Sequence, residues 1–128
     1  MSRPTIAVVG ASSDQRKFGN KCVRAYKLHG YDVYPVSPDE PTIEGLPAYR
    51  TLAEVPVAEL DRVSIYLPPD ALLQVLPELA KKAAKQVWFN PGSSSAAVLE
   101  KARSLGMNAI AGCSIVDLGS HSRSSGAG

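Results

Sequence analysis

The chain has 128 residues, 45% hydrophobic and 20% charged, with a formal net charge of +2. That length and composition fit one globular domain, and no apolar run approaches the roughly 20 residues needed to span a bilayer. So mild a charge, without a dense Lys/Arg cluster, argues against a nucleic-acid partner, and Cys22 and Cys113 form neither a disulfide framework nor a zinc spacing. The N-terminal stretch MSRPTIAVVGAS lacks a long apolar region with a cleavage site, so a cytoplasmic protein is expected.

Thr5–Val9 (TIAVV) is a β-branched run followed by Gly10. A continuous apolar run predicts a strand buried on both faces, as in a parallel sheet. Lys17–His29 reads as a helix, with Phe18, Cys22, Ala25 and Tyr26 on one face and Lys21, Arg24 and Lys27 on the other. Gly30 stops it. Tyr31–Val36 is the second strand, and its Pro35 requires a strand end or an unpaired edge. Ser37–Gly45 is a loop by composition. Leu46–Tyr49 is expected as a short third strand, and Thr51–Glu54 as a helical turn.

Asp61–Leu67 reads as the fourth strand, stopped by Pro68-Pro69. Asp70 is expected to cap a helix over Ala71–Lys82, which Pro77 should kink or divide. Gln86–Phe89 is the fifth strand. Ser93–Ser95 hold an N-cap for Ala96–Leu105, Gly106 closes that helix, and Met107–Ala111 is the sixth strand. Residues 1–118 make the domain, and the small, polar residues 119–128 are expected to be a disordered tail.

Alternating strands and helices predict a Rossmann-like, doubly wound α/β fold. Its mostly parallel sheet should have five or six strands, ordered 3-2-1-4-5-6, with helices on both faces. Ligands bind such sheets outside the carboxyl ends of the strands, at the switch point between strands one and four. The relevant loops are Gly10–Gly19, Ser37–Asp39, Pro68–Asp70 and Asn90–Ser93.

The first loop has the makings of a phosphate site. Gly10 lets backbone approach a ligand, and Ser12 and Ser13 offer hydroxyl and N–H groups. Arg16 and Lys17 add positive charge at a helix start, where the dipole already favours anions. The dinucleotide fingerprint G-x-G-x-x-G fails, because Ser12 stands at its second glycine. The acid that nicotinamide dinucleotide sites place at the end of strand two is missing too, with Asp39 displaced into the loop.

Gly10-Ala11-Ser12 with Gly19, then Gly30-Tyr31 leading into Pro35-Val36-Ser37-Pro38, Gly45, Trp88 before Gly92, and Cys113 form an ordered set. That set, over about residues 4–117, resembles the small CoA-binding domain proteins. These are similar to the CoA-binding domain of the succinyl-CoA synthetase alpha subunit. The resemblance implies coenzyme A or an acyl-CoA as ligand. By position, Gly10, Ala11, Ser12, Ser13, Arg16, Lys17, Phe18 and Gly19 would hold phosphates. Ser37 and Pro38, after Val36, would lie against adenosine, and Leu67, Pro68 and Pro69 would flank the ligand. Asn90, Pro91 and Gly92 would meet the pantetheine or pyrophosphate. The chain departs from the family pattern at Phe89-Asn90-Pro91 and at Gly112, both toward the pantetheine end.

No reactive constellation stands out. Cys22 lies on an apolar helix face and reads as core, and no basic side chain stands beside Cys113 in the sequence to activate it. His29 reads as a helix-end cap and His121 as a solvated tail residue. Tyr66 and Trp88 read as strand residues that pack. No carboxylate pair or Ser/His/Asp set is evident, so a binding module is expected rather than an enzyme. The synthetases use a phosphorylated histidine outside their CoA-binding domain, and this chain has no counterpart. The alternatives are an NAD(P)-binding oxidoreductase-like domain, or a non-catalytic regulatory subunit that pairs with an enzyme chain. A homo-oligomer is also open.

Overall fold

In a computed structural model, residues 3–119 are described. The five-stranded parallel sheet is built around β1 (Thr5–Val9). β2 (Asp32–Val36) pairs with one edge of β1, from Thr5↔Asp32 to Val9↔Val36. β5 (Glu59–Ile65) pairs with the other, from Ile6↔Arg62 to Val9↔Ile65. β6 (Ala83–Phe89) and β7 (Ala109–Ala111) extend the sheet beyond β5. The order is therefore β2-β1-β5-β6-β7, with a switch point between β1 and β5.

β1 is apolar from Ile6 to Val9 because both its faces are covered there. Ile6 and Val8 pack against α1 (Phe18–Leu28), with Cys22, Val23 and Tyr26. Ala7 and Val9 face the opposite layer, α2 (Pro69–Leu79) and α3 (Ala96–Ser104), which supplies Leu72, Leu76, Val98 and Ala102. All of these except Val9 are fully buried. Each large aliphatic among them contributes about 1.5–3 kcal/mol of transfer free energy.

The expected third strand is the main correction. Leu46-Pro47 do not join the sheet. They form β4 (Leu46–Pro47) of a separate hairpin with β3 (Thr42–Ile43), around a Glu44-Gly45 turn in which both residues have positive φ, 52° and 77°. Among the described residues of this stretch, Tyr49 alone pairs with the sheet, by a single parallel bridge to Val36. Its N–H donates to the Pro35 carbonyl (2.9 Å), and its carbonyl accepts from Ser37 N–H (2.8 Å). Pro35 thus sits on the edge strand, with its missing N–H on the outer side, as its ring requires.

Two helix boundaries also move. α2 starts with Pro69 as its first residue after Pro68, so Asp70 is not the cap but lies in the first turn, where it complements the dipole. Pro77 neither kinks α2 into pieces nor ends it; it sits in the last turn. The Leu73 carbonyl, four residues back and without a proline N–H to meet, accepts from Lys101 Nζ at 3.1 Å. Ser95 caps α3 as expected, accepting from Val98 N–H at 3.2 Å.

Residues 114–119 are helical and pack Leu118 into the α1 side of the core. Arg62 fastens this segment. Its guanidinium pairs with Asp117 (2.9 Å), donates to the Tyr26 hydroxyl (2.9 Å), and lies 5.4 Å from the centre of the Trp88 ring. Gly119, expected in the tail, belongs to this helical stretch, and residues 120–128 lie outside the described part. Among the described residues no helix is long and apolar enough to cross a membrane.

Candidate functional site

The carboxyl edge of the sheet is shaped by two glycines. Gly10 ends β1 with φ 87°, and a Cβ there would run into the Tyr66 carbonyl oxygen. A Cβ on Gly19, in the first turn of α1, would run into the Gly10 carbonyl oxygen. The glycines therefore let β1, the end of β5 and α1 close on one another, and they shape the cleft through the packing of the fold.

Around them lies a polar cleft of about 440 Å³. Gly10, Ala11, Ser12, Lys17, Phe18 and Gly19 form one wall, Ser37, Pro38, Asp39 and Glu40 the second, and Tyr66 and Leu67 the third. Gly10, Pro38 and Leu67 also border an apolar cleft of about 420 Å³ on the α2 side of the edge. Val36, Leu52, Ala71, Val75 and Leu79 line it, with Arg50 and Glu78 among its charged residues. The two clefts make a trough with one polar and one apolar lobe, crossing the sheet edge at the switch point.

The hydrogen bonds of the first loop limit what it can offer a ligand. Gly10 and Ala11 N–H both donate to the Val36 carbonyl (3.2 Å each), which locks the loop to β2. Ser12 Oγ accepts from Asp14 N–H at 3.0 Å. Arg16 is turned back onto Asp14 by its own N–H and by its guanidinium, at 3.0–3.1 Å. These bonds hold the Asp14 carboxyl down at about 2. Ser13 N–H donates to Glu40 Oε2 at 3.0 Å. Lys17 makes no ion pair among the described residues and lines the cleft at the uncapped start of α1. It is the cation best placed for an anion.

Of the residues singled out from the sequence, Ser13 and Arg16 stand beside the polar cleft, engaged with Glu40 and Asp14. Pro68 and Pro69 begin α2 and line neither cleft. Pro91 and Gly92 are exposed and also line neither. Asn90 is 1% exposed, and its amide is committed inward. Nδ2 donates to Ser64 Oγ and the Ile65 carbonyl, and Oδ1 accepts from Ser114 N–H, all at 2.9 Å. The structure therefore gathers the first-loop and second-strand residues with Leu67, and leaves the Asn90-Pro91-Gly92 stretch out of the trough.

Sequence reasoning missed Glu40, Asn20 and Glu44. Asn20 Nδ2 donates to the Ser12 carbonyl and to Glu44 Oε2 (2.9 Å each), tying the β3–β4 hairpin to the first loop. It missed the apolar lobe as well. The exposed Ala71 and Val75, one turn apart on α2 beside the buried Leu72, Leu76 and Leu79, were the available signal.

Beneath the polar cleft is a buried hydroxyl cluster. Ser64 and Ser114 are 2.7 Å apart, and Cys22 Sγ lies 3.8 Å from Ser114 Oγ. Burial pushes the Cys22 thiol up, so it stays protonated and inert, in keeping with its reading as core. Cys113 is half-buried and free. Among the described residues the buried Tyr66 hydroxyl has no hydrogen-bond partner of good geometry, and burial pushes its ionisation up. Tyr66→Phe is therefore expected to stabilise the fold by about 1 kcal/mol in urea titration, because an unpaired buried hydroxyl is removed. A loss of stability would show that the hydroxyl is paired in solution.

Residues 4–119 match the family model of the CoA binding domain. The chain belongs to the CoA-binding domain family. This CoA-binding domain is 37% identical, over 83 residues, to the alpha subunit of the ADP-forming acetate–CoA ligase II of Pyrococcus furiosus, covering 64% of this chain and 18% of that one. It thus spans less than a fifth of that relative. In structure it is similar to a protein from Pyrococcus horikoshii (TM-score 0.80, 28% identity, 91% of this chain and 81% of the other). It is also similar to the dinucleotide-forming acetyl-coenzyme A synthetase 1 of Ca. Korarchaeum cryptofilum (TM-score 0.70, 30% identity, 83% of this chain and 25% of the other). The α/β Rossmann-like sheet is common to these structures.

Proposed function

We propose that this protein binds coenzyme A or an acyl-CoA in the trough at the carboxyl edge of the sheet, as a recognition module without chemistry of its own. The family match over residues 4–119 carries the reading. The two lobes support it, since CoA joins a polyanionic phosphate part to less polar adenine and pantetheine parts. Lys17 and the start of α1 would meet phosphate. Ser37 and Pro38 would meet the adenosine, which the apolar lobe beside Pro38 can shelter. Asn90, Pro91 and Gly92 carry a pantetheine role only by resemblance. A cytoplasmic location goes with this reading.

The relative that is a ligase subunit favours one further element: a partner chain that supplies the chemistry. Co-purification from native extract tests it, and recovery of this protein alone counts against it.

Thermal-shift titration with CoA, acetyl-CoA, NAD, NADP and ATP tests the ligand. At 100 times its dissociation constant a ligand stabilises by about 2.7 kcal/mol, and the largest shift is expected from CoA or acetyl-CoA. Lys17→Ala, at an exposed position, should leave the melting temperature unchanged and weaken binding about tenfold, the loss of one charge-assisted phosphate contact. A response to NAD with none to CoA would overturn the reading.

A further inference from the structure

We propose that Glu40 is a built-in competitor for ligand phosphate, and so sets how tightly the polar cleft holds a polyanion. The inference rests on the ligand site proposed above. In this structure the Glu40 carboxylate already sits where an anion would. Its Oε2 accepts Ser13 N–H at 3.0 Å, on the loop that faces the cleft. Hydrogen bonds from Ser13 hold its carboxyl below the usual range, with a smaller contribution from the Lys17 charge.

The rest of the loop gives an incoming phosphate few alternatives. Gly10 and Ala11 N–H are held by the Val36 carbonyl, and Arg16 by Asp14. The charged residues lining the cleft are then Lys17 against Asp39 and Glu40, one cation against two carboxylates. Both carboxylates repel a ligand with several phosphates, so the cleft holds it more tightly once one of them is displaced. Glu40 is the one that moves. It lies in the short segment between β2 and β3, it is part-exposed, and among the described residues its carboxylate is held by Ser13 alone, a contact that a phosphate oxygen can replace. Ser37 and Pro38 line the same wall of the cleft, so displacing Glu40 opens space beside them.

Glu40→Gln separates charge from shape, because its amide oxygen still accepts from Ser13 N–H. Calorimetric titration of CoA into the intact protein and into E40Q, in low and high salt, is the test. E40Q is expected to bind CoA about fivefold more tightly at low salt, the effect of removing one unit-charge repulsion at about 4 Å in a water-like medium. The gain should shrink in high salt, and the melting temperature of the free protein should fall only slightly, because the amide oxygen keeps the Ser13 hydrogen bond and the lost charge attraction is largely screened. Equal or weaker binding by E40Q, with the unaltered protein still binding CoA, overturns this inference alone; weaker binding would make Glu40 an acceptor for a ligand hydroxyl. No CoA binding by either protein overturns the site reading and this inference with it.

Discussion

Gly10→Ala is expected to lower the melting temperature by roughly ten degrees or to prevent folding altogether. Two effects add at this position. The backbone has φ 87°, where an L side chain costs about 1–2 kcal/mol. The new Cβ would also meet the carbonyl oxygen of Tyr66, which is backbone and cannot turn aside. Tyr66 is fixed there because its N–H donates to the Val9 carbonyl at 2.8 Å, the last rung joining β1 to the chain leaving β5. Relieving such overpacking costs about 1–3 kcal/mol more. A total of about 2–5 kcal/mol is a large share of a stability that is itself about 5–15 kcal/mol. Gly92→Ala is the control. Its φ of 92° is similarly strained, but a Cβ there meets nothing within 4 Å. It should cost only about 1–2 kcal/mol. Equal losses in the two variants, read from urea titration, would show that backbone strain alone explains Gly10 and that the close approach to Tyr66 is relaxed in solution.

Gly10 also shows what the sequence could and could not convey. A glycine after a β-branched run marked the end of β1 and the ligand edge, because strand and turn are local properties. That the same residue must be small to let β5 close against β1 depends on a partner 56 positions away, and no local pattern announces it. The central strands, α1, α3 and the switch point were legible for the same local reason: apolar runs, helical periodicity, a serine cap within Ser93–Ser95 and a Gly30 stop. The third strand was not. Leu46–Tyr49 has strand composition, but Glu44-Gly45 makes a tight turn that folds Leu46-Pro47 back on Thr42–Ile43, and Tyr49 alone of the four pairs with the sheet. In the site, Lys17, Ser12, Ser37 and Pro38 were readable because consecutive residues at a strand end share one edge. Glu40 was not, since its role depends on reaching back 27 residues to Ser13.

Asn90→Ala is expected to destabilise the domain by about 3–5 kcal/mol, through loss of a buried polar network. The side chain, just after the end of β6, joins two other parts of the fold: the end of β5, through the Ile65 carbonyl and the Ser64 hydroxyl, and the start of the C-terminal helical residues, through the N–H of Ser114. Truncation leaves the Ile65 carbonyl and the Ser114 N–H without these partners in a dry environment, at about 1–3 kcal/mol for each. Asn90→Asp makes the argument sharper. It replaces the Nδ2 donor with an oxygen facing the Ile65 carbonyl, so the buried carboxyl favours its protonated form and its folded-state pKa rises above the unfolded value of about 3.9. Between those two values the native state binds the extra proton, so stability must fall as pH rises through that window. Asn90→Asp should thus be closest to the original protein near pH 4 and progressively weaker toward pH 7, whereas the deficit of Asn90→Ala should be nearly independent of pH. The opposite pattern, both variants folding normally while CoA affinity drops, would mean that the amide turns outward and that the Asn90-Pro91-Gly92 stretch belongs to the ligand site as the family resemblance implies.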